Sequence, residues 1–109
     1  MKPGRIRHMA IFTLKHAEDA PETARFLEDG RVILSAIPSV ENFEVLLQVS
    51  PKTSFRFGFS MEFADRAGYD AYNAHPAHTD FVERRWKVEV ESFQEIDFVD
   101  VGGASSLET

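Results

Sequence analysis

The chain has 109 residues, with 12 lysines and arginines against 18 aspartates and glutamates, and its formal net charge at pH 7 is −6. This length predicts one domain, and the acidity argues against a nucleic-acid partner, because a phosphate backbone requires a basic surface. The chain contains no cysteine, which excludes disulfides and cysteine-ligated zinc. It has no apolar run of the roughly 18 residues that a spanning helix needs and no apolar signal-peptide core. We therefore expect a cytoplasmic protein that makes no membrane contact.

The first third of the chain predicts a strand followed by a helix. Residues 1–5 show no pattern and are expected to be a flexible N-terminus. Residues 6–14 are largely apolar at both alternating sets of positions, as in a central strand, and His8 falls on a buried face. A helix then begins at Pro21 and ends near residue 37. Gly30 lies on its core stripe at a cost of about 1 kcal/mol relative to alanine, so either close packing compensates or the helix is locally weak.

The middle of the chain predicts an antiparallel hairpin. Residues 43–49 and 55–63 each alternate between apolar and other residues, and a short turn that contains Pro51 joins them. The odd-numbered positions of the second strand form an unusually aromatic row. Such a row is most often plain core, and the alternative is the floor of a ligand cavity.

Two helices separated by a histidine-proline bond follow the hairpin. Asp65 is expected to cap the first of them, which carries Tyr72. The residue before a proline avoids the helical region, whereas proline itself suits the first helical position, so His75 is predicted as N-cap and Pro76 as the first residue of the next helix. This last helix is expected to extend to about residue 91.

His78 lies in the first turn of that helix, on its apolar stripe. An imidazole near a helix N-terminus and among apolar neighbours is expected to be neutral, and it could act as a general base. Tyr72 could then donate a hydrogen bond to a carbonyl oxygen of a substrate. The alternative is that His78 bonds Tyr72 or a backbone carbonyl and only fixes the turn. A metal site formed by His75 and His78 is disfavoured, because Pro76 holds His75 at the cap.

The end of the chain predicts a last strand and a tail. Residues 92–99 alternate, with Glu95 on the same face as Phe93, and residues 101–109 read as a polar C-terminal tail. The element order βαββααβ indicates an α+β, ferredoxin-like fold with a four-stranded antiparallel sheet and helices on one face. The other sheet face would be uncovered in a monomer, so we expect a homodimer.

Three segments resemble a known family. Residues 6–12, residues 37–40 and above all the turn Ala71-Tyr72-Asn73-Ala74-His75-Pro76-Ala77-His78 are similar to the signature segments of the stress-responsive A/B barrel (Dabb) domain family. The resemblance covers residues 6–100 and implies pairing into a dimeric α+β barrel. A plant polyketide cyclase of that family closes a linear polyketide acid by aldol condensation without a cofactor. The resemblance places its catalytic residues on Tyr72 and His78 and its strand-one histidine on His8, but Phe57 stands where that cyclase has a histidine.

The resemblance and the patterns together imply a small apolar pocket that binds an organic carbonyl or carboxylate ligand, with cofactor-free acid/base chemistry of the lyase or cyclase type. Tyr72 and His78 are the predicted catalytic residues, no metal is expected, and the predicted substrate-binding residues are His8, Phe57, Phe59, Met61 and Phe81. Two alternatives stay open. One is a non-catalytic structural or assembly protein without a ligand, and the other is a cofactor-free monooxygenase of the same barrel superfamily. Glu95, if it faces the pocket, could orient a histidine or bind a cationic group.

Overall fold

The computed structural model describes residues 2–101, so all of the predicted tail except Val101 lies outside the described residues. The elements, in chain order, are β1 (Ile6–Leu14), α1 (Pro21–Ser35), β2 (Glu41–Leu47), β3 (Phe57–Phe63), α2 (Arg66–Ala74), α3 (Pro76–Phe81), a π-helical segment (Val82–Trp86), α4 (Lys87–Glu89) and β4 (Val90–Val99). The predicted ferredoxin-like α+β order is confirmed.

The four strands form one antiparallel sheet in the order β2-β3-β1-β4. In its central part, His8 of β1 lies opposite Met61 of β3 on one side and Asp97 of β4 on the other. Because side chains alternate along each strand, these three residues share the sheet face on which the helices pack. The register therefore brings residues from the two ends of the chain together on that face.

Side-chain caps begin the two helices around the histidine-proline bond. The Asp65 carboxylate accepts a hydrogen bond of 2.8 Å from the Gly68 backbone N–H and caps α2. His75 Nδ1 accepts one of 3.1 Å from the Ala77 N–H and caps α3, with Pro76 at its first position. Both predicted caps are present, and the turn between α2 and α3 is thereby fixed in direction.

Aromatic rings fill the space between the sheet and the helices at the end of the sheet near Phe12. The Phe12 ring lies 4.9 Å from both the Phe59 and the Trp86 ring centroids and 5.8 Å from that of Phe26 on α1. Gly30 allows this packing, since a Cβ there would stand 2.6 Å from the Phe59 ring. Of the two interpretations of Gly30, the structure favours close packing.

The last helical stretch differs from the single regular helix predicted to extend to about residue 91. It changes to π-helical geometry over Val82–Trp86, where the Lys87 N–H bonds the Val82 carbonyl five residues back, and it ends at Glu89. A π turn holds one more residue than an α turn and so rotates the residues that follow. Arg85 anchors this stretch to α1 by an ion pair of 2.6 Å with Asp29.

The sheet face opposite the helices carries a group of apolar side chains that the monomer leaves uncovered. Register places them on one face of the sheet, on strands β1, β2 and β4, and they are Met9, Ile11, Leu46, Ile96 and Phe98. Leu46 is 37% exposed and Phe98 is 47% exposed. These five residues are called the outer face below. Within residues 2–101, none of the helices has both the length and the apolar character needed to cross a membrane.

Candidate functional site

A cavity of about 560 Å³ lies between the sheet and the helical segments that precede β4, from α2 to α4. Its volume is within the range of small-molecule sites, and most of its lining is apolar. Among the predicted site residues, those that line the cavity are His8, Phe59, Met61, Tyr72, His78 and Phe81.

Phe57 is the predicted substrate-binding residue that the structure does not bring to this cavity. It begins β3 opposite Phe12, two rungs of the sheet beyond Phe59, and it lines a separate depression with Leu27 and Val45. Strand alternation gave the correct face but could not show which end of the strand the cavity occupies. We therefore leave Phe57 out of the site.

His78 is half-buried, and its tautomer follows from its hydrogen bond. Nδ1 lies 3.2 Å from the Asn73 carbonyl oxygen, which can only accept, so Nδ1 carries the hydrogen and Nε2 carries the lone pair. Burial lowers the pKa of His78 below its usual value, and this outweighs the opposing effect of the Asn73 carbonyl. The ring is therefore neutral at pH 7, with one basic nitrogen. The bond to a backbone carbonyl was predicted as an alternative to a site role, and here the ring that makes this bond also lines the cavity.

Tyr72 packs against His78 and places a hydroxyl at the cavity. The two ring centroids are 4.3 Å apart, and Tyr72 is only 3% exposed. Burial, followed by the negative charge of Glu95, raises the pKa of Tyr72, so the hydroxyl is protonated at neutral pH. The hydrogen bonds found within residues 2–101 give this hydroxyl no protein partner. It can therefore donate to a bound molecule.

His8 forms the third polar wall of the cavity, and β4 holds it in place. Its Nδ1 lies 2.6 Å from Asp97 Oδ1, so Nδ1–H donates to the carboxylate and Nε2 is the acceptor nitrogen. The Tyr69 hydroxyl donates to Asp97 Oδ2 at 2.8 Å. Burial and the Asp97 carboxylate both raise the pKa of Tyr69, which therefore stays protonated. The His8 and Tyr72 ring centroids are 6.1 Å apart, so the Tyr72 ring is close to both imidazoles of the cavity.

Asp97 and Tyr69 are site residues that the sequence did not reveal. Asp97 is separated from His8 by 89 positions in the chain, and only the pairing of β1 with β4 brings the two together. The alternation of β4 already placed Asp97 on the same face as Glu95. A sequence search that paired each buried histidine with the acidic residues of the neighbouring strand would have found it.

Glu95 lies on the cavity wall, opposite Ala10 in the pairing of β1 with β4. This settles its orientation, which the sequence left open. Residues 2–101 contain no group of three or more histidine, aspartate or glutamate side chains arranged to hold a metal ion.

The fold and the cavity define a small α+β domain with a ferredoxin-like sheet and a ligand-sized space beneath its helices. The chain belongs to the stress responsive A/B barrel (Dabb) domain family, whose model matches residues 6–100. It is 57% identical to a Dabb family protein with a ferredoxin-like fold from Mesorhizobium loti, over 91% of this chain and 99% of that chain, with a TM-score of 0.90.

More distant solved structures share the fold. A dimeric ferredoxin-like protein of unknown function from Thermobifida fusca is 18% identical over 88% of this chain and 91% of that chain, with a TM-score of 0.71. The hydroxynitrile lyase of Passiflora edulis is 12% identical over 94% of this chain and 98% of that chain, with a TM-score of 0.80. No curated protein matches the chain in sequence.

Proposed function

We propose that the cavity binds a small organic molecule with a carbonyl or carboxylate group and that His78 and Tyr72 act on it by acid/base chemistry without a cofactor. The observation that carries this proposal is Tyr72, a buried residue that lines a cavity of about 560 Å³ beside a neutral imidazole and whose protonated hydroxyl has no protein partner within residues 2–101. A purely structural Tyr72 would be expected to have a protein hydrogen-bond partner.

The proposed chemistry is proton abstraction from the carbon next to a carbonyl. His78 Nε2 takes the proton, and the Tyr72 hydroxyl donates to the carbonyl oxygen on which negative charge develops. The imidazolium formed in this step adds a compensating positive charge. A general base works best with a pKa near the operating pH, and the lowered pKa of His78 keeps the free base available at neutral pH.

His8 is proposed to position the ligand. Its bond to Asp97 fixes the ring orientation and directs the lone pair of Nε2 toward a hydroxyl or N–H group of the ligand. In this role Asp97 acts through His8 and is a positioning residue. The apolar parts of the ligand would rest on Phe59, Met61 and Phe81.

The binding proposal is tested by titrating the protein with small aromatic ketones and amides and following Trp86, which is the chain's one tryptophan and lines the cavity. Tyr72→Phe removes only the hydroxyl and should weaken binding by about 2- to 10-fold, which corresponds to one neutral hydrogen bond. Thr79→Val is the control, because it also removes one hydroxyl, which bonds the Pro76 carbonyl at an exposed position outside the cavity lining. Equal effects of the two substitutions would remove Tyr72 from the site.

The chemical proposal is tested without knowledge of the natural substrate. Acetophenone is incubated with the protein in D₂O, and exchange of its methyl protons is followed by NMR. We expect exchange above the buffer rate that His78→Gln abolishes. Ala10→Leu extends a side chain into the cavity and should abolish binding as well. If no ketone binds and no exchange occurs, the proposal fails and a structural role is favoured.

We also propose that the protein is a homodimer joined through the outer face. The apolar group on this face would otherwise remain in water, and the ferredoxin-like protein from Thermobifida fusca is described as dimeric. Ile96→Glu should give a monomer in sedimentation velocity, because it places a charge within the contact. The control is Val32→Glu, since Val32 is 53% exposed on α1, away from the outer face. A dimer that survives Ile96→Glu would place the contact elsewhere.

A further inference from the structure

We infer that the cavity accepts uncharged carbonyl compounds and rejects carboxylates, with Glu95 as the residue that sets this preference. The inference rests on the proposed binding function and narrows its ligand to one of the two classes. It follows from the charges that face the cavity.

Glu95 is a carboxylate on the cavity wall. The register places it opposite Ala10, one alternating position from Asp97, on the helix-covered face of the sheet. Its negative charge acts on all three neighbouring groups. After burial it raises the pKa of Tyr72, it adds to the raised pKa of Tyr69, and at His78 it partly opposes the lowering of the pKa by burial. A ligand carboxylate bound near the Tyr72 hydroxyl would meet the same negative potential.

The cations near the cavity do not offset this potential. Lys87 lies at the rim, but its ammonium group is 2.5 Å from Glu83 and is therefore already paired. A second rim carboxylate, Glu91, adds to the negative side. Burial keeps His78 neutral at pH 7.

The remaining polar side chains are Asn73, which is uncharged, and His8, whose Nδ1–H is used by Asp97. The side-chain groups of residues 2–101 that line the cavity thus offer a carboxylate no unpaired cation, and burying an unpaired charge is costly. An uncharged carbonyl needs only the Tyr72 hydroxyl as donor. The Glu95 carboxylate can then accept from an N–H or O–H of the same molecule.

The test compares 2-naphthamide with 2-naphthoate by isothermal titration calorimetry at pH 7.5 and low salt. The two probes have almost the same shape and differ by one negative charge. We expect the amide to bind at least about tenfold more tightly, as like charges a few ångströms apart in a partly solvated site predict. Glu95→Gln should reduce this ratio to below about threefold by tightening naphthoate binding. Added salt should also reduce the ratio.

The control is Glu44→Gln, which makes the same change in net charge at a residue paired with Ser60, on the side of the sheet away from the cavity. It should leave the ratio unchanged. Equal affinities of the two probes in the unmodified protein, or a ratio that Glu95→Gln does not alter, would overturn this inference and leave the proposed function standing. If neither probe nor any ketone binds, the proposed function falls and this inference falls with it.

Discussion

Replacing Gly30 with alanine separates helix propensity from core packing, because the two predict opposite changes in stability. Gly30 lies within α1, where alanine is favoured over glycine by about 1 kcal/mol. A Cβ at this position would stand 2.6 Å and 2.8 Å from two atoms of the Phe59 ring and 3.3 Å from the Phe81 ring. Both rings are at most 2% exposed, so neither can move outward into solvent.

Such overpacking costs about 1 to 3 kcal/mol. After the propensity gain is subtracted, Gly30→Ala should lower the free energy of unfolding by up to about 2 kcal/mol. Gly68→Ala is the matched control, since a Cβ there would meet no atom nearer than 3.5 Å. It should stabilise the protein by about 0.5 kcal/mol. Urea unfolding at fixed protein concentration, followed by circular dichroism, measures both variants. A Gly30→Ala variant that is more stable than the unmodified protein by about 1 kcal/mol, as helix propensity alone predicts, would refute the packing argument.

Three further predictions concern single side chains. His78 is held neutral by burial, so the unfolded chain binds the proton more readily and stability should fall as the pH drops below about 6.5. Urea midpoints at pH 7.5 and 5.5 should therefore differ less in His78→Gln than in the unmodified protein. Asp65→Ala removes the cap of α2 and should cost about 1 kcal/mol in the same assay, whereas Asp65→Asn should cost much less. Arg85→Gln breaks ion pairs of 2.6 Å with Asp29 and with Glu89 and should lower the free energy of unfolding by about 1 kcal/mol. An unchanged free energy of unfolding would show that these ion pairs do not stabilise the fold.

The parts of the structure that could be predicted from the sequence are those set by neighbouring residues. The caps formed by Asp65 and His75 depend on a few adjacent backbone groups, and the proline that follows His75 fixes its conformation. Strand alternation likewise predicted that Glu95 shares a face with Phe93, although not that this face meets the cavity. The same local rules, applied to the histidine-proline turn, predicted that Tyr72 and His78 lie at one site.

What could not be predicted depends on contacts between distant parts of the chain. The bond of His8 to Asp97 requires the offset of β4 against β1, which alternation does not determine. The π-helical segment was not predicted, because apolar spacing of three or four residues allows both α and π turns over so short a stretch. Phe57 was predicted to line the cavity but does not, because its distance from the cavity depends on its position along the strand, which alternation does not give.

The helix-covered face of the sheet has two halves, and side chains pack closely in only one of them. Around Phe12 the rings of Phe26, Phe59 and Trp86 pack edge to face, and Phe12 is fully buried. Around His8 the polar rings converge and the space stays open. A chain of this length buries only about 60% of its unfolded surface and gains stability from every filled volume. Apolar side chains that filled the open half would be expected to stabilise the domain, so fold stability does not account for this space, in which the proposed function places the ligand.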